Sequence, residues 1–103
     1  MASWIAIKSV GSGPSARELL SASVAMKSRN IIIHGGYDSG QNSLKDTWKA
    51  TIDSDKNEIK WERLEDSPEN RWYHSSEIIG SHCIFIGGDG CKSTLAYNML
   101  TKE

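Results

Sequence analysis

A glycine-rich segment is the first candidate for chemistry in this chain. Gly87–Thr94 combines glycines with Lys92 and following hydroxyl residues, which are the residue types of a phosphate-binding loop. Such a loop also needs glycine immediately before the lysine and five residues before that, but Cys91 and Ile86 stand there. The residues that follow, 95–97, favour a strand where the loop requires a helix. The sequence therefore does not predict nucleotide binding.

Histidine, cysteine and serine side chains are the next candidates. There is no Cys-x-x-Cys pair, and His82 and Cys83 would point to opposite faces of one strand, so a zinc site is not indicated. Ser12 and Ser81 are flanked by glycine but lack the strand-turn-helix setting of a serine nucleophile. No paired carboxylates suggest acid–base catalysis. We expect no enzyme activity, no metal and no cofactor.

Two arginines offer the strongest chemistry. Each follows a proline by three residues, Arg17 after Pro14 and Arg71 after Pro68. A guanidinium group forms paired hydrogen bonds to carboxylates, so each arginine could hold an acidic ligand. The alternative is an internal ion pair or a hydrogen bond to a neighbouring loop. The sequence leaves both interpretations open.

The arginines belong to a repeated pattern. Residues 31–36, an isoleucine run ending in Gly35-Gly36, recur after 52 residues as 83–88, ending in Gly87-Gly88. Alternating apolar and polar residues around both copies predict short strands with tight turns, at 4–7, 20–26, 31–34, 47–52, 59–64, 73–79, 83–86 and 94–100. A strand-rich repeat of about 50 residues is typical of a β-propeller blade.

The strand order predicts an all-β partial propeller. If the strands of a blade are labelled a to d from the axis outward, the double glycine ends strand b. Residues 1–12 then form an orphan outer strand d of a preceding blade, and 13–66 form one complete four-stranded blade. Residues 67–103 form an incomplete, three-stranded blade. Because two blades cannot close a ring, we expect further blades from the same or another chain, or a head-to-tail homo-oligomer.

These motifs resemble kelch repeats over nearly the whole chain. The kelch pattern combines an arginine after proline, an apolar strand ending in Gly-Gly, and aromatic residues in the outer strands. The first copy contains Pro14, Arg17, Gly35, Gly36, Asp46-Thr47-Trp48 and Trp61, and the second contains Pro68, Arg71, His74, Gly87, Gly88 and Tyr97 but ends before its tryptophan. The glycines would make turns, and the aromatic residues would pack between blades.

The resemblance implies a kelch-type scaffold or adaptor that binds proteins without catalysis. Alternatives are a fragment of an enzyme propeller, galactose-oxidase-like or specifier-type, and a truncated product without independent function. In some adaptor relatives the arginine holds acidic peptides at the central opening. In an up-and-down blade the d–a and b–c loops emerge at the same end, which predicts a partner-binding face made of Arg17, Tyr37, Asp38, Arg71, Trp72, Tyr73 and His74.

Composition sets limits on partners and location. Twelve basic and thirteen acidic residues leave a formal net charge of −1 without long charge blocks, so we expect neither nucleic-acid nor membrane binding. The first residues lack a basic leader and an apolar segment, which predicts no secretory signal and a cytoplasmic location. Cys83 and Cys91 are expected to stay reduced, Cys83 as a small buried side chain.

Overall fold

Strands make up the regular structure of the computed structural model, which describes residues 4–25, 30–72, 74–88 and 93–99. Within these ranges there is no helix, and so none that could cross a membrane. The strands are β1 Lys8–Val10, β2 Arg17–Glu18, β3 Ser21–Ala25, β4 Asn30–His34, β5 Tyr37–Asp38, β6 Thr47–Asp53, β7 Glu58–Arg63, β8 Ser75–Ile79, β9 His82–Ile86 and β10 Thr94–Asn98. The prediction of an all-β chain is confirmed.

Sheet 1 has the order β1-β7-β6-β4-β3, and the pairs from β3 to β7 are antiparallel. β-branched and aromatic residues, which favour extended backbone, make up most of β4 and β6, and β7 alternates Ile59 and Trp61 with charged residues. The β6–β7 turn is tight because Asp53 accepts hydrogen bonds from the backbone N–H groups of Asp55 and Lys56, and Asn57 adopts a positive φ of 52°. The four antiparallel strands β3, β4, β6 and β7 lie side by side in chain order.

The N-terminal strand differs from its prediction. Trp4 was expected in the strand, but the strand begins at Lys8, and Trp4 is fully exposed ahead of it. The strand was also expected to be an orphan, whereas β1 pairs in parallel with β7, with Lys8 opposite Glu58. The physical reason is that β7 would otherwise present unpaired N–H and C=O groups along its outer edge.

Sheet 2 contains β8, β9 and β10, all antiparallel, so β10 is an edge strand. A third, two-stranded sheet pairs β2 with β5 and places Arg17 opposite Asp38. The sequence predicted a loop at β5, because polar and glycine residues surround these two positions and two residues are too few to show a periodicity. The described strands do not form a closed sheet.

The two larger sheets pack face to face along a seam. We call the side of sheet 1 that faces sheet 2 its forward face, and the opposite side its backward face. For sheet 2, the side that faces sheet 1 is the backward face, and the opposite side is the forward face. The forward face of sheet 1 packs on the backward face of sheet 2, and its buried apolar centre consists of Ile32, Cys83 and Phe85. The seam includes a shared hydrogen bond between Ser23 and Ser76. The prediction that Cys83 is buried is confirmed.

The two double glycines have the same backbone conformation. Gly35 and Gly87 have φ of +68°, and Gly36 and Gly88 have φ of +109°, a region that side-chain-bearing residues rarely adopt. A Cβ on Gly35 would also lie 2.3 Å from the backbone oxygen of Arg71. The repeat therefore preserves a turn and, at Gly35, a close approach between the two halves of the chain.

Candidate functional site

Arg17 lies in an internal ion pair. Its side chain extends from the first position of β2 and donates two hydrogen bonds to the carboxylate of Asp46, from Nη1 at 2.7 Å and from Nη2 at 2.9 Å. Nη1 also donates to the Gly35 carbonyl at 3.2 Å, and Ser15 accepts from Nε through its carbonyl and from Nη2 through its hydroxyl. The side chain of Arg17 is only 4% exposed. The guanidinium thus joins the segment before β2 to the loops on either side of β5.

Asp46 and Trp48 complete this first arginine site. The indole Nε1 of Trp48 donates to Asp46 Oδ2 at 2.6 Å. Burial alone raises the pKa of Asp46, but hydrogen bonds from Arg17 and Trp48, together with the Arg17 charge, outweigh burial and lower the pKa to about 2. Trp48 is buried, as its predicted packing role requires. Asp46 is therefore a carboxylate at every ordinary pH.

Arg71 makes a second internal site. Its Nη1 donates to the carbonyls of Gly87 at 2.5 Å and Ser93 at 2.8 Å, while Nη2 donates to the Ser93 hydroxyl at 2.9 Å and to Glu69 Oε2 at 3.1 Å. The Ser93 hydroxyl donates in turn to Glu69. Arg71 is completely buried. It ties the linker between the sheets to both ends of the β9–β10 connection.

These contacts decide between the two interpretations of the arginines. Neither guanidinium faces solvent, and each is directed toward partners within the chain. The structure therefore places Arg17 and Arg71 beneath the predicted binding face, where they hold loops together. Sequence reasoning did not assign Glu69 or Ser93 to these sites, and it quoted Asp46 only as part of the motif before Trp48.

His74 was also predicted on the binding face, but it lies buried in the seam between the sheets. Its Nε2 shares a 2.7 Å hydrogen bond with the hydroxyl of Ser21. His34 packs beside it with ring centroids 5.3 Å apart and shares a 2.9 Å hydrogen bond between its Nδ1 and the Thr47 hydroxyl. Phe85 packs against the rings of both histidines.

The environment keeps both histidines neutral. Burial, followed by the charges of nearby His74 and Arg71, lowers the pKa of His34 to about 4. Burial, followed by the Arg71 charge, lowers the pKa of His74 to about 4. His34 Nε2 and His74 Nδ1 are buried without a hydrogen-bond partner. The histidines are therefore a packed, polar part of the seam, and His74 is not available on the surface.

Tyr37 and Trp72 do meet at the predicted face. Tyr37 is the first residue of β5 and follows the first double glycine, while Trp72 follows Arg71 in the linker. Their ring centroids lie 5.7 Å apart with planes inclined by 49°, and each residue is partly exposed. Asp38 shapes the neighbouring loop, because its Oδ1 accepts hydrogen bonds from the N–H groups of Gly40 and Asn42 at 3.0 Å. The predicted Tyr73 lies outside the described residues.

The remaining motif residues pack beside the sheets. Trp61 lies on the backward face of sheet 1, where a Cβ on Gly13 would be only 2.8 Å from its ring, and its Nε1 donates to the Ser9 hydroxyl at 3.4 Å. Tyr97 packs against the apolar centre of the seam, and its hydroxyl has no partner. A cleft of about 160 Å³ opens beside β10 and is lined by Thr47, Glu65, Asp66, Ser67, Pro68, Phe85, Leu95 and Tyr97.

The described ranges contain no group of three or more histidine, cysteine or acidic residues arranged to hold a metal ion. The loop first considered for phosphate binding includes residues 89–92, which lie outside those ranges. Cys83 is buried, and burial raises the pKa of its thiol to about 11. A thiol with that pKa is protonated at neutral pH and is a poor nucleophile.

Comparison with known proteins adds a partial likeness. No family model matches the chain. An F-box/kelch-repeat protein of Arabidopsis thaliana is 30% identical over 61 residues, which is 57% of this chain and 13% of that protein. The chain thus spans about an eighth of the length of this curated relative. The likeness supports kelch repeats in part of the chain and is compatible with its all-β sheets.

Proposed function

We propose that this chain is a non-catalytic protein-interaction module made of kelch-type blades, and that it binds another protein through the loops at one end of its sheets. The observation that carries the proposal is the contact between Tyr37 and Trp72. These residues are 35 positions apart in sequence, yet their rings form one partly exposed aromatic pair. We call Tyr37, Trp72 and the Asp38 loop the loop face.

The aromatic pair supports the proposal because tyrosine and tryptophan dominate the energetics of protein interfaces. Each provides a large apolar area with a polar group at its edge, and neither loses much conformational freedom on binding. Ser39, Gly40, Gln41 and Asn42 next to the pair are exposed and uncharged. An aromatic centre with a neutral polar rim matches the usual composition of a protein-binding patch.

Internal hydrogen bonds give the loop face a fixed shape. The N–H of Gly36 donates to the backbone oxygen of Arg71 at 2.8 Å, and the Arg71 N–H donates to the Leu44 oxygen at 3.0 Å. The two segments that carry Tyr37 and Trp72 are therefore bonded to each other directly. A surface held in its binding conformation loses less entropy on association.

The same contacts argue for a particular partner chemistry. Because Arg17 and Arg71 are engaged internally, an acidic peptide held by their guanidinium groups is not what the loop face fits. The loop face presents two aromatic rings and the amides and hydroxyl of residues 39–42, and the carboxylate of Asp38 is engaged by the N–H groups of Gly40 and Asn42. We propose that the partner inserts an apolar or aromatic side chain from an exposed loop beside Tyr37 and Trp72.

Affinity capture with matched variants tests this proposal. The chain would be used as bait in wild-type form, as Tyr37→Ala/Trp72→Ala, and as Trp4→Ala. Trp4 is a fully exposed tryptophan ahead of β1, so its removal controls for nonspecific adsorption to aromatic surface. We expect a protein that the wild type and Trp4→Ala retain and the double variant loses. The purified partner should then bind wild type and Trp4→Ala equally in calorimetry.

Circular dichroism of the three baits must agree, so that a lost partner reflects the surface and not unfolding. A partner that binds the double variant with wild-type affinity would show that the loop face is not the binding site. A partner lost only with Trp4→Ala would transfer the binding site to the N-terminal segment.

A further inference from the structure

The structure contains one completed contact between sheets and two uncovered faces of the same kinds, which are faces without another sheet among the described residues. The backward face of sheet 1 is not fully exposed, because Trp48 and Ala50 are buried on it. The seam joins the forward face of sheet 1 to the backward face of sheet 2. Among the described residues, sheet 2 therefore still has a forward face, and sheet 1 a backward face, without a neighbouring sheet. The strand registers make it possible to compare each position in the seam with its counterpart on an uncovered face.

The forward faces can be compared strand by strand. His34 stands opposite Ser21 and Thr47 in sheet 1, and Ile86 stands opposite Ser75 and Thr94 in sheet 2, so Ile86 takes the place of His34. Within the seam His34 is 0% exposed, whereas Ile86 is 51% exposed. The uncovered position thus carries the more apolar side chain.

The next forward position gives the same result. Ile84, two residues earlier on β9, takes the place of Ile32, which is 2% exposed in the seam. Ile84 itself is only partly buried, and Ile79 at the end of β8 on the same face is 66% exposed. Three isoleucines thus form a partly exposed apolar patch on one sheet face, with the exposed Glu77 opposite Ile84, and apolar patches mark interaction sites.

The backward faces show the reciprocal pattern. Ile33 and Ile31 of β4 take the places of Phe85 and Cys83 of β9, which are almost completely buried in the seam. Both isoleucines are only partly buried, and Val24 beside them is 55% exposed. The uncovered backward face is thus also apolar, and its two isoleucines have buried counterparts in the seam.

We propose that these two faces bind each other between copies of this chain, with the forward face of sheet 2 in one copy packed on the backward face of sheet 1 in the next. The seam supplies the geometry, because it is the same kind of contact made within one chain. Transferring its register places Ile86 against Ile33 and Ile84 against Ile31, in the positions of His34 on Phe85 and Ile32 on Cys83. The occupant of each face is therefore a second copy, and the contact is independent of the loop face.

The contact is head-to-tail, so each copy uses one face and leaves its other face open for a further copy. Two lysine substitutions test this property. Ile86→Lys damages only the forward face, and Val24→Lys damages only the backward face. Both wild-type residues are more than half exposed, so the folded single chain should tolerate the changes.

Size-exclusion chromatography with light scattering, over a series of protein concentrations, gives the readout. We expect the wild type to exceed the 11.4 kDa mass of one chain and each lysine variant alone to remain at that mass. An equimolar mixture of the two variants should form a dimer and grow no further, because one intact forward face meets one intact backward face. Ile5→Lys, at a 65% exposed isoleucine ahead of β1, should associate like the wild type.

A wild type that stays at 11.4 kDa at every concentration overturns the proposal. A lysine variant that keeps the wild-type mass also overturns it, and would leave pairing at the edge of β10 as the cause of association. Failure of the mixture to dimerise would exclude the head-to-tail arrangement. Tyr37→Ala/Trp72→Ala should keep the wild-type mass, which separates this proposal from the function of the loop face.

Discussion

The two arginine sites are built alike but have exchanged two side chains. Arg17 and Arg71 each donate to the carbonyl of the first glycine in the double-glycine turn beside them. The first site has a hydroxyl two residues before the arginine, at Ser15, and a carboxylate just before β6, at Asp46. The second site has the carboxylate two residues before the arginine, at Glu69, and the hydroxyl just before β10, at Ser93.

The exchange shows what the position requires. A buried guanidinium needs its charge balanced and its donors satisfied, and either loop can supply the carboxylate. The two solutions are not equal, however. Asp46 is bound to Arg17 through both of its oxygens and also accepts from Trp48, whereas the side chain of Glu69 is 44% exposed and its Oε2 accepts from Arg71 and from the Ser93 hydroxyl. Leu95 takes the place of Trp48 in the second site, and its side chain has no N–H group that could donate to a carboxylate.

The largest difference is expected when the carboxylates are removed. Asp46→Ala should lower the free energy of unfolding by about 3–5 kcal/mol, because Arg17 and the Trp48 N–H lose their partner in a buried site. Glu69→Ala should cost less, about 1–3 kcal/mol, because the Glu69 carboxylate is partly solvated and the buried Arg71 keeps the carbonyls of Gly87 and Ser93 and the Ser93 hydroxyl. Urea denaturation of both variants provides the comparison.

Equal losses in the two variants would show that the geometric difference between the sites has no energetic weight. Trp48→Phe is the matched control, since it removes the hydrogen bond to Asp46 and keeps most of the buried ring. It should fall between the other two variants.

A change of pH is expected to have an intermediate effect on the free energy of unfolding. The pH range of the effect distinguishes the two buried histidines of the seam from the first arginine site. Both histidines have a folded-state pKa near 4, below the ordinary histidine value of 6.5, so the unfolded chain takes up protons first. The part of the stability that depends on the neutral rings is therefore fully present above about pH 6.5 and falls as the pH drops toward 4, by roughly 3 kcal/mol for the two neighbouring histidines together. The contribution of Asp46 to stability is lost only below the ordinary aspartate pKa of 3.8, as the pH approaches 2.

Urea denaturation at a series of pH values measures this loss. His34→Gln should reduce the decline between pH 6.5 and 4, whereas the Asp46 variant should keep it. A wild-type stability that is constant across this range would contradict the neutral, buried state of both rings.

The smallest effect on stability is expected when the second arginine site is given the same arrangement of hydroxyl and carboxylate as the first. Glu69→Ser/Ser93→Asp places the hydroxyl and the carboxylate where the first site has them. We expect the double variant to lie within about 1 kcal/mol of the wild type, and Glu69→Ser alone to be less stable than the double variant. A double-mutant cycle from thermal denaturation gives the coupling energy, and a coupling of zero would mean that the two side chains do not substitute for each other.

Much of the fold could be predicted from the sequence because its signals are local. The alternation in 47–52 and 59–64, the turn at residues 53–57, and the double glycines all act over a few neighbouring residues, and the strands appear where they indicate. The parallel pairing of β1 could not be predicted in this way. It depends on an edge that exists only after β7 has formed, and an exposed run at 8–10 carries no pattern that names its partner.

The candidate site divides in the same manner. Tyr37 and Trp72 were predicted on one face from strand direction alone, and they lie together there. The orientation of Arg17, Arg71 and His74 depends on acceptors in distant segments, such as Asp46 for Arg17 and Ser21 for His74. A short motif does not specify those partners, so the sequence could only leave the internal and the ligand-binding interpretations of the arginines side by side.

The parallel position of β1 also has a kinetic consequence. The antiparallel strands of sheet 1 pair with neighbours across short connections, but Lys8 must find Glu58, 50 residues further along the chain. Closing so long a loop is slow and entropically unfavourable, so β1 should be the last strand of its sheet to join during folding. By the same reasoning it should be the first to detach. Its amide protons should exchange with solvent while the rest of the sheet stays protected.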